Sequence, residues 1–209
     1  MYLSRLVLDP RSRQALSDLA DTYQIHRTLM SAFPQALPKK ERVLYRVEIR
    51  RTEPSLTILV QSHTAPDWSK LERSGYVVQP VSVKHFNPNI ISGQVFQFRL
   101  AANPTKRLKG NGGKDGRRVG LMREEEQIVW LRRKGEENGF HVLAVQTVKI
   151  VQPDGFKEEN GKKHRIHTKV VRFDGFLKVL DVERFEQALY NGIGTGKGFG
   201  CGLLSIARA

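Results

Sequence analysis

The chain has 209 residues, with 35 Lys plus Arg against 21 Asp plus Glu and a formal charge of +14. That surplus points to a polyanionic partner, while 39% hydrophobic residues suffice for one large core or two small ones and exclude global disorder. No run approaches the ~20 apolar residues of a membrane span, and Leu6 to Leu8 is cut off by Asp9, Pro10, Arg11 and Arg13, so neither a membrane protein nor a secreted precursor is expected. The one cysteine, Cys201, leaves no intrachain disulfide or Cys-built zinc site and suits a reducing cytoplasm.

Tyr2 to Leu8 alternates like a half-buried strand, and Asp9-Pro10 supplies a cap and first-turn proline for a helix to about Ala20. Asp21 or Thr22 caps a second helix to about Phe33, stopped by Pro34 and Pro38. Arg42 to Arg50 and Leu56 to Ser62 read as strands around a turn at Glu53-Pro54, and a short helix starts near Asp67. Gln94 to Ala101 alternates as a strand and is expected to close a βαββαβ unit at about residue 103.

Lys106 to Gly120 holds five Gly and six Lys or Arg, the composition of a flexible basic connection, and the domain boundary is placed there. Arg123 to Asn138 then reads as a helix with Glu124, Glu125 and Glu126 in its first turn. Strands are expected over Phe140 to Gln152, Arg165 to Phe173 and, after an Asp174-Gly175 turn, Phe176 to Leu180. A helix from Asp181 to Tyr190 and a strand from Leu203 to Ala207 follow. The fold class is therefore α+β, with two tandem ferredoxin-like (RRM-like) domains, each an antiparallel sheet with helices on one face. Their expected bounds are residues 1–103 and 121–209, with residues 104–120 as linker.

Between Gly192 and Gly202 every second residue is glycine (GIGTGKGFGCG). A Walker loop would need Gly at 191 and Ser or Thr at 198, where Asn191 and Gly198 stand, and strict alternation never yields G-x-G-x-x-G. What remains is a backbone able to approach something closely, either a phosphate-rich chain around Lys197 or a packed neighbouring helix. In the second helix, Ile25, Leu29, Ala32 and Phe33 fall on one side, and Tyr23, Arg27 and Met30 on another with His26 at its edge. A phenol, an imidazole and a guanidinium presented together suit phosphodiester transfer, with an acid, a base and a cation in place of a metal. Alone, Y-x-x-H-R does not separate a catalytic histidine from a structural one. The other histidines, His63, His85, His141, His164 and His167, lack ligand spacing, so no metal is expected.

Residues 157–165 (KEENGKKHR), with Asn160-Gly161 as turn, form a charged hairpin whose basic residues come mainly after the turn. It can lie along RNA phosphates or be a solvated hairpin. Neither sheet carries the aromatic run with which recognition-motif domains stack bases, so a folded RNA feature fits better than a single strand.

Together these pieces resemble the CasE (Cse3) family of CRISPR repeat-processing endoribonucleases. The resemblance rests on MYLSRLVLDPRSR, DLADTYQIHRTL, PDWSKL, GQVFQFRLAANPTKR, FDGFLKVLD and GIGTGKGFGCGLLSI, in order over nearly the whole chain. It implies two ferredoxin-like domains and metal-independent, cofactor-free cleavage of CRISPR repeat transcripts (pre-crRNA) at the 3′ base of the stem-loop. The 2′-hydroxyl would attack, leaving a 2′,3′-cyclic phosphate and a 5′-hydroxyl. It further implies that the crRNA is retained and that the protein joins other Cascade subunits in the cytoplasm. His26 and Tyr23 fall on the catalytic positions, with acid and base undivided between them, and Arg27 beside the scissile phosphate. The RNA-binding set expected with this reading adds Lys106, Arg107, Lys157, Lys162, Lys163, Arg165 and Lys169, and Gly194, Gly196, Lys197 and Gly198 of the glycine loop. The alternatives are a non-catalytic stem-loop RNA-binding subunit of a ribonucleoprotein and a basic ribosome-associated factor.

Overall fold

A computed structural model describes residues 1–38, 41–49, 56–109, 115–150, 155–159, 162–166 and 169–209. The first unit runs β1 (Tyr2–Val7), α1 (Arg13–Leu19), α2 (Thr22–Met30), β2 (Leu44–Ile49), β3 (Leu56–Ser62), α3 (Ser69–Arg73) and β4 (Ser82–His85). Its four strands lie in the order β2-β3-β1-β4, every pair antiparallel. Alternation puts Ser4, Leu6, Tyr45, Ile58 and Val60 on the helix-covered face, where they bury Ile25 and Leu29 of α2, Leu71 of α3 and Trp68 just before it. The Trp68 indole N–H donates to Ser4 Oγ at 3.0 Å, which satisfies the one polar group that β1 turns inward.

The second unit begins with β5 (Val95–Ala102) and continues through the hairpin β6 (Thr105–Lys109) and β7 (Asp115–Gly120), then α4 (Glu124–Glu137) and β8 (Phe140–Ile150). A second hairpin, β9 (Gly155–Glu159) and β10 (Lys162–Ile166), precedes β11 (Val170–Val179), α5 (Val182–Asn191) and β12 (Leu204–Arg208). The sheet order is β12-β5-β11-β8, again antiparallel throughout. Each unit thus has the ferredoxin-like arrangement in which the fourth strand and the third flank the first. The second core is aromatic: Phe96, Phe98, Phe140, Phe173 and Phe185 close against Trp130 and Leu131 of α4.

Several expectations are corrected. Val95–Ala102, expected to close the first unit, is the first strand of the second and lies between β11 and β12. The short β4 closes the first sheet instead. Lys106 to Gly120 is not a plain linker, because the described parts pair as β6 and β7; residues 110–114 lie outside the described residues. Asp174-Gly175 is no turn: β11 runs through it without a break. Gly175 is there because a side chain would collide with the Ala144 carbonyl, 2.0 Å from where its Cβ would stand, and the register shifts just beyond, at Phe176/Leu177. The segment expected as one strand from Arg165 is β10 followed by β11.

The first helix starts three residues late. Asp9 instead binds the Arg11 amide and guanidinium, and Ser12 Oγ caps the Ala15 amide. Asp21 caps α2 as expected, through the Tyr23 amide, but the helix stops at Met30. The turns expected at Glu53-Pro54 and Asn160-Gly161 lie outside the described residues.

The open faces of the two sheets meet across a cleft of ≈ 720 Å³. Arg46, only 2% exposed, spans it. Its Nε donates to Glu48 Oε1 at 2.8 Å, its Nη1 to the carbonyls of Leu203 and Arg99, and its Nη2 to Ser205 Oγ at 3.0 Å. Arg99 continues the chain of charges to Glu48 (2.9 Å) and Asp174 (2.6 Å). Gln61 adds a bond from β3 to the Leu189 carbonyl of α5 at 2.6 Å.

Candidate functional site

The glycine loop joins the two units. Gly192 ends α5 with φ +71°, where an added Cβ would meet Leu44 of β2 at 2.8 Å, and Gly194 packs on the Trp130 ring. A single 3-10 turn, Lys197–Phe199, is bounded by Gly196 and Gly200, both left-handed, and lies against α2 and β2. The Gly202 amide donates to the Ala101 carbonyl at 2.7 Å, and the Ile193 amide to the Gly202 carbonyl at 2.9 Å, so the loop is pinned at its base.

His26 meets this turn. A methyl group built on Gly198 would touch the imidazole edge at 3.9 Å, so the loop backbone forms one wall of the histidine's surroundings. Tyr45 of β2 forms another, with ring centroids 6.4 Å apart and planes inclined by 22°. Nδ1 of His26 is buried without a hydrogen-bond partner among the described residues. Burial lowers the pKa of the imidazole from its ordinary value and favours the neutral ring. A neutral imidazole can take a proton, and its protonated form can return one.

Of the expected partners, Tyr23 is half-buried at the start of α2, one helical turn before His26. Arg27 points elsewhere: it is exposed, donates to Gln24 Oε1 at 3.4 Å and lines a cavity with Asp18, Thr28 and Lys70. Lys197, at the centre of the turn, is half-buried, and burial, then the nearby charge of Arg42, lowers its pKa. Gly196 and Gly198 flank Lys197, whereas Gly194 faces a second cavity of ≈ 780 Å³ with Lys106, Arg107, Arg118, Arg133 and Lys134. There Lys106 pairs with Glu126 at 2.8 Å. Lys169 lies exposed over Gly120, away from the histidine.

The backbone of β9 runs beside α2, bringing the charged hairpin to the same region. Its register sets Lys162 opposite Glu159 and Lys163 opposite Glu158, with Lys157 opposite His164 and Arg165 opposite Phe156. The side chains of these four basic residues, and His167 as a whole, lie outside the described residues.

Three features were not read from the sequence. Tyr45 sits in an apolar strand, LYRV, where a tyrosine reads as core. Arg42 precedes that strand and approaches Lys197 only through the fold. Arg118 falls opposite Arg107 in the β6–β7 register, and the RRVG run that places it reads as linker until its partner strand is known. Like charges facing each other across a ribbon suit an anionic ligand.

A family model described as CRISPR associated protein matches residues 1–208. The chain is 42% identical over 217 aligned positions to the CRISPR-associated endoribonuclease Cse3 of Thermus thermophilus, covering 99% of this chain and all of that one. It is 33% identical to the CRISPR system Cascade subunit CasE of Escherichia coli, with 99% of each covered. Its structure superposes on that of Cse3 bound to a 19-nucleotide RNA with a TM-score of 0.84, at 40% identity over the full length of both chains. The sheet order, the glycine loop against the histidine helix and these full-length matches converge: the chain is a member of the CasE (Cse3) family of CRISPR-associated proteins.

Proposed function

We propose that this protein is an endoribonuclease that cuts CRISPR repeat transcripts at the 3′ base of their stem-loop and holds the product within a Cascade-type complex in the cytoplasm. The observation that carries the reading is His26, half-buried with an Nδ1 that is buried and unpartnered among the described residues, enclosed by a glycine turn and an aromatic ring beside a charged hairpin. The relatives' names support the reaction class and the assembly, and a Cse3 structure representing a pre-cleavage RNA complex superposes with a TM-score of 0.81.

Cleavage proceeds without metal. The ribose 2′-hydroxyl loses its proton and attacks the adjacent phosphorus, and the bond to the 5′-oxygen breaks as that oxygen gains a proton. The ends are a 2′,3′-cyclic phosphate and a 5′-hydroxyl. His26 is the principal proton-transfer residue and Tyr23 its partner, while Arg27 and Lys197 hold phosphates. The walls on either side of the imidazole restrict its rotation, so a substrate phosphate meets a ring already oriented. Lys157, Lys162, Lys163, Arg165 and Lys169, with Lys106 and Arg107 of the other hairpin, run along the stem backbone, where their contacts set register. Gly194, Gly196 and Gly198 let the RNA backbone approach the loop.

The test is cleavage of a cognate repeat RNA in excess EDTA by wild type and His26→Ala, and of an RNA with one 2′-deoxy residue at the cut site. Wild type makes one cut, and either change abolishes it while tight binding persists. Binding by wild type with no cut, in EDTA and in magnesium alike, rejects the enzyme and leaves a stem-loop RNA-binding subunit.

A further inference from the structure

The 3-10 turn facing His26 has little rigidity of its own. It is three residues long, closed by one backbone bond from the Phe199 amide to the Gly196 carbonyl, and bounded on both sides by left-handed glycines. Something outside the loop must hold it at the imidazole. Among the described residues, one side chain of the first sheet reaches it by a hydrogen bond. That side chain is Tyr45, 1% exposed, and its hydroxyl stands 3.3 Å from the Gly198 carbonyl and 2.9 Å from the Thr22 carbonyl.

A phenol has a single proton to give, so the two carbonyls share it in a three-centre bond. Thr22 opens α2 one turn before His26, and Gly198 is the residue at the imidazole's edge. The hydroxyl therefore ties the start of the histidine helix to the turn that walls it, and the Tyr45 ring fills the space behind the imidazole. We infer that Tyr45 is a positioning residue for RNA cleavage, docking the glycine turn onto the His26 helix without touching the substrate. The inference rests on the assignment of His26 as the proton-transfer residue. Burial pushes the phenol's pKa far up, so it keeps its proton and remains a donor at any working pH.

Tyr45→Phe keeps the ring and removes the oxygen. Tyr76→Phe is the control: Tyr76 is equally buried in the same core, but its hydroxyl donates to Asp18 Oδ2 at 3.0 Å, away from the turn. The measurements are the dissociation constant for repeat stem-loop RNA, the single-turnover cleavage rate at saturating protein, and amide hydrogen exchange across residues 196–202.

For Tyr45→Phe, affinity stays within about twofold while the cleavage rate falls about tenfold, the scale of one neutral hydrogen bond, and exchange in the turn quickens. Tyr76→Phe lowers the melting temperature but leaves the cleavage rate and the turn's exchange unchanged. Wild-type cleavage by Tyr45→Phe overturns the inference, as does a loss of cleavage that tracks lost affinity or is matched by Tyr76→Phe. If His26→Ala is inactive and Tyr45→Phe is not, this inference alone fails; a fully active His26→Ala overturns the catalytic assignment as well.

Discussion

At the scale of residues, burial of His26 has a consequence in free protein. Its imidazole titrates below the ordinary value of ~6.5 because the charged ring loses solvation. The unfolded chain therefore takes up a proton at a higher pH than the folded chain does. The contribution of this residue to stability is complete above ~6.5 and declines as the pH falls from there to the folded pKa. An NMR titration of the ring in RNA-free protein is expected to give a midpoint below that of a solvent-exposed histidine; a midpoint at or above ~6.5 contradicts the buried, neutral ring. Helical periodicity placed Tyr23, His26 and Arg27 on a single α-helix whose phase is set by Ile25 and Leu29, while it was the family resemblance, not the spacing, that singled them out as a candidate site. The same periodicity grouped Arg27 with Tyr23, yet its side chain turns to the Lys70 cavity, since helical phase fixes where a side chain starts and not where its tip goes. Tyr45 was illegible for a different reason: nothing local to a strand says that its hydroxyl meets a carbonyl 153 residues later.

At the scale of elements, glycines mark where two elements come too close for a side chain. Gly139, between α4 and β8, has φ +77°, and a Cβ there would lie 2.5 Å from the Asp181 carbonyl at the start of α5. Its own carbonyl accepts from the Leu180 and Asp181 amides, which locks the α4–β8 turn to the N-terminus of α5. Gly139→Ala combines left-handed strain with a backbone clash, and a loss of at least ~2 kcal/mol in urea unfolding is expected. Gly175 makes the same point inside a strand, where its sequence neighbour Asp174 made the pair look like a turn. Helices α4 and α5 and strand β12 were readable from caps and periodicity because such signals are local. The partner of β5 was not, since alternation says that a strand has two faces and nothing about which sheet receives it.

At the scale of the whole molecule, buried charge joins the two units across their facing sheets. Arg46 sits at the centre of that joint, and burial lowers its pKa while Glu48 works to hold its charge. Arg46→Met preserves length but removes the donors to Leu203, Arg99 and Ser205, leaving buried acceptors unpaired. We expect a loss of about 3–5 kcal/mol in urea unfolding, changing little with added salt because the group is out of solvent. A loss below ~1 kcal/mol would mean that the sheets hold together without it. Because Ser205 and Leu203 directly follow the glycine loop, the same substitution is expected to slow cleavage by loosening the turn at His26.

The enclosure of His26 by Gly198 also imposes an order in time. Translation delivers α2 early and the glycine turn only after every aromatic residue of the second core has been synthesised, so α2 emerges before the turn that walls His26 exists. A nascent chain stalled after Ile166 and before residue 198 carries the histidine and both hairpins but lacks the turn that walls the imidazole. Such a chain also lacks β12 and the Leu203 and Ser205 partners of Arg46, so the joint between the sheets and the histidine's wall are completed together, by the last residues to leave the ribosome.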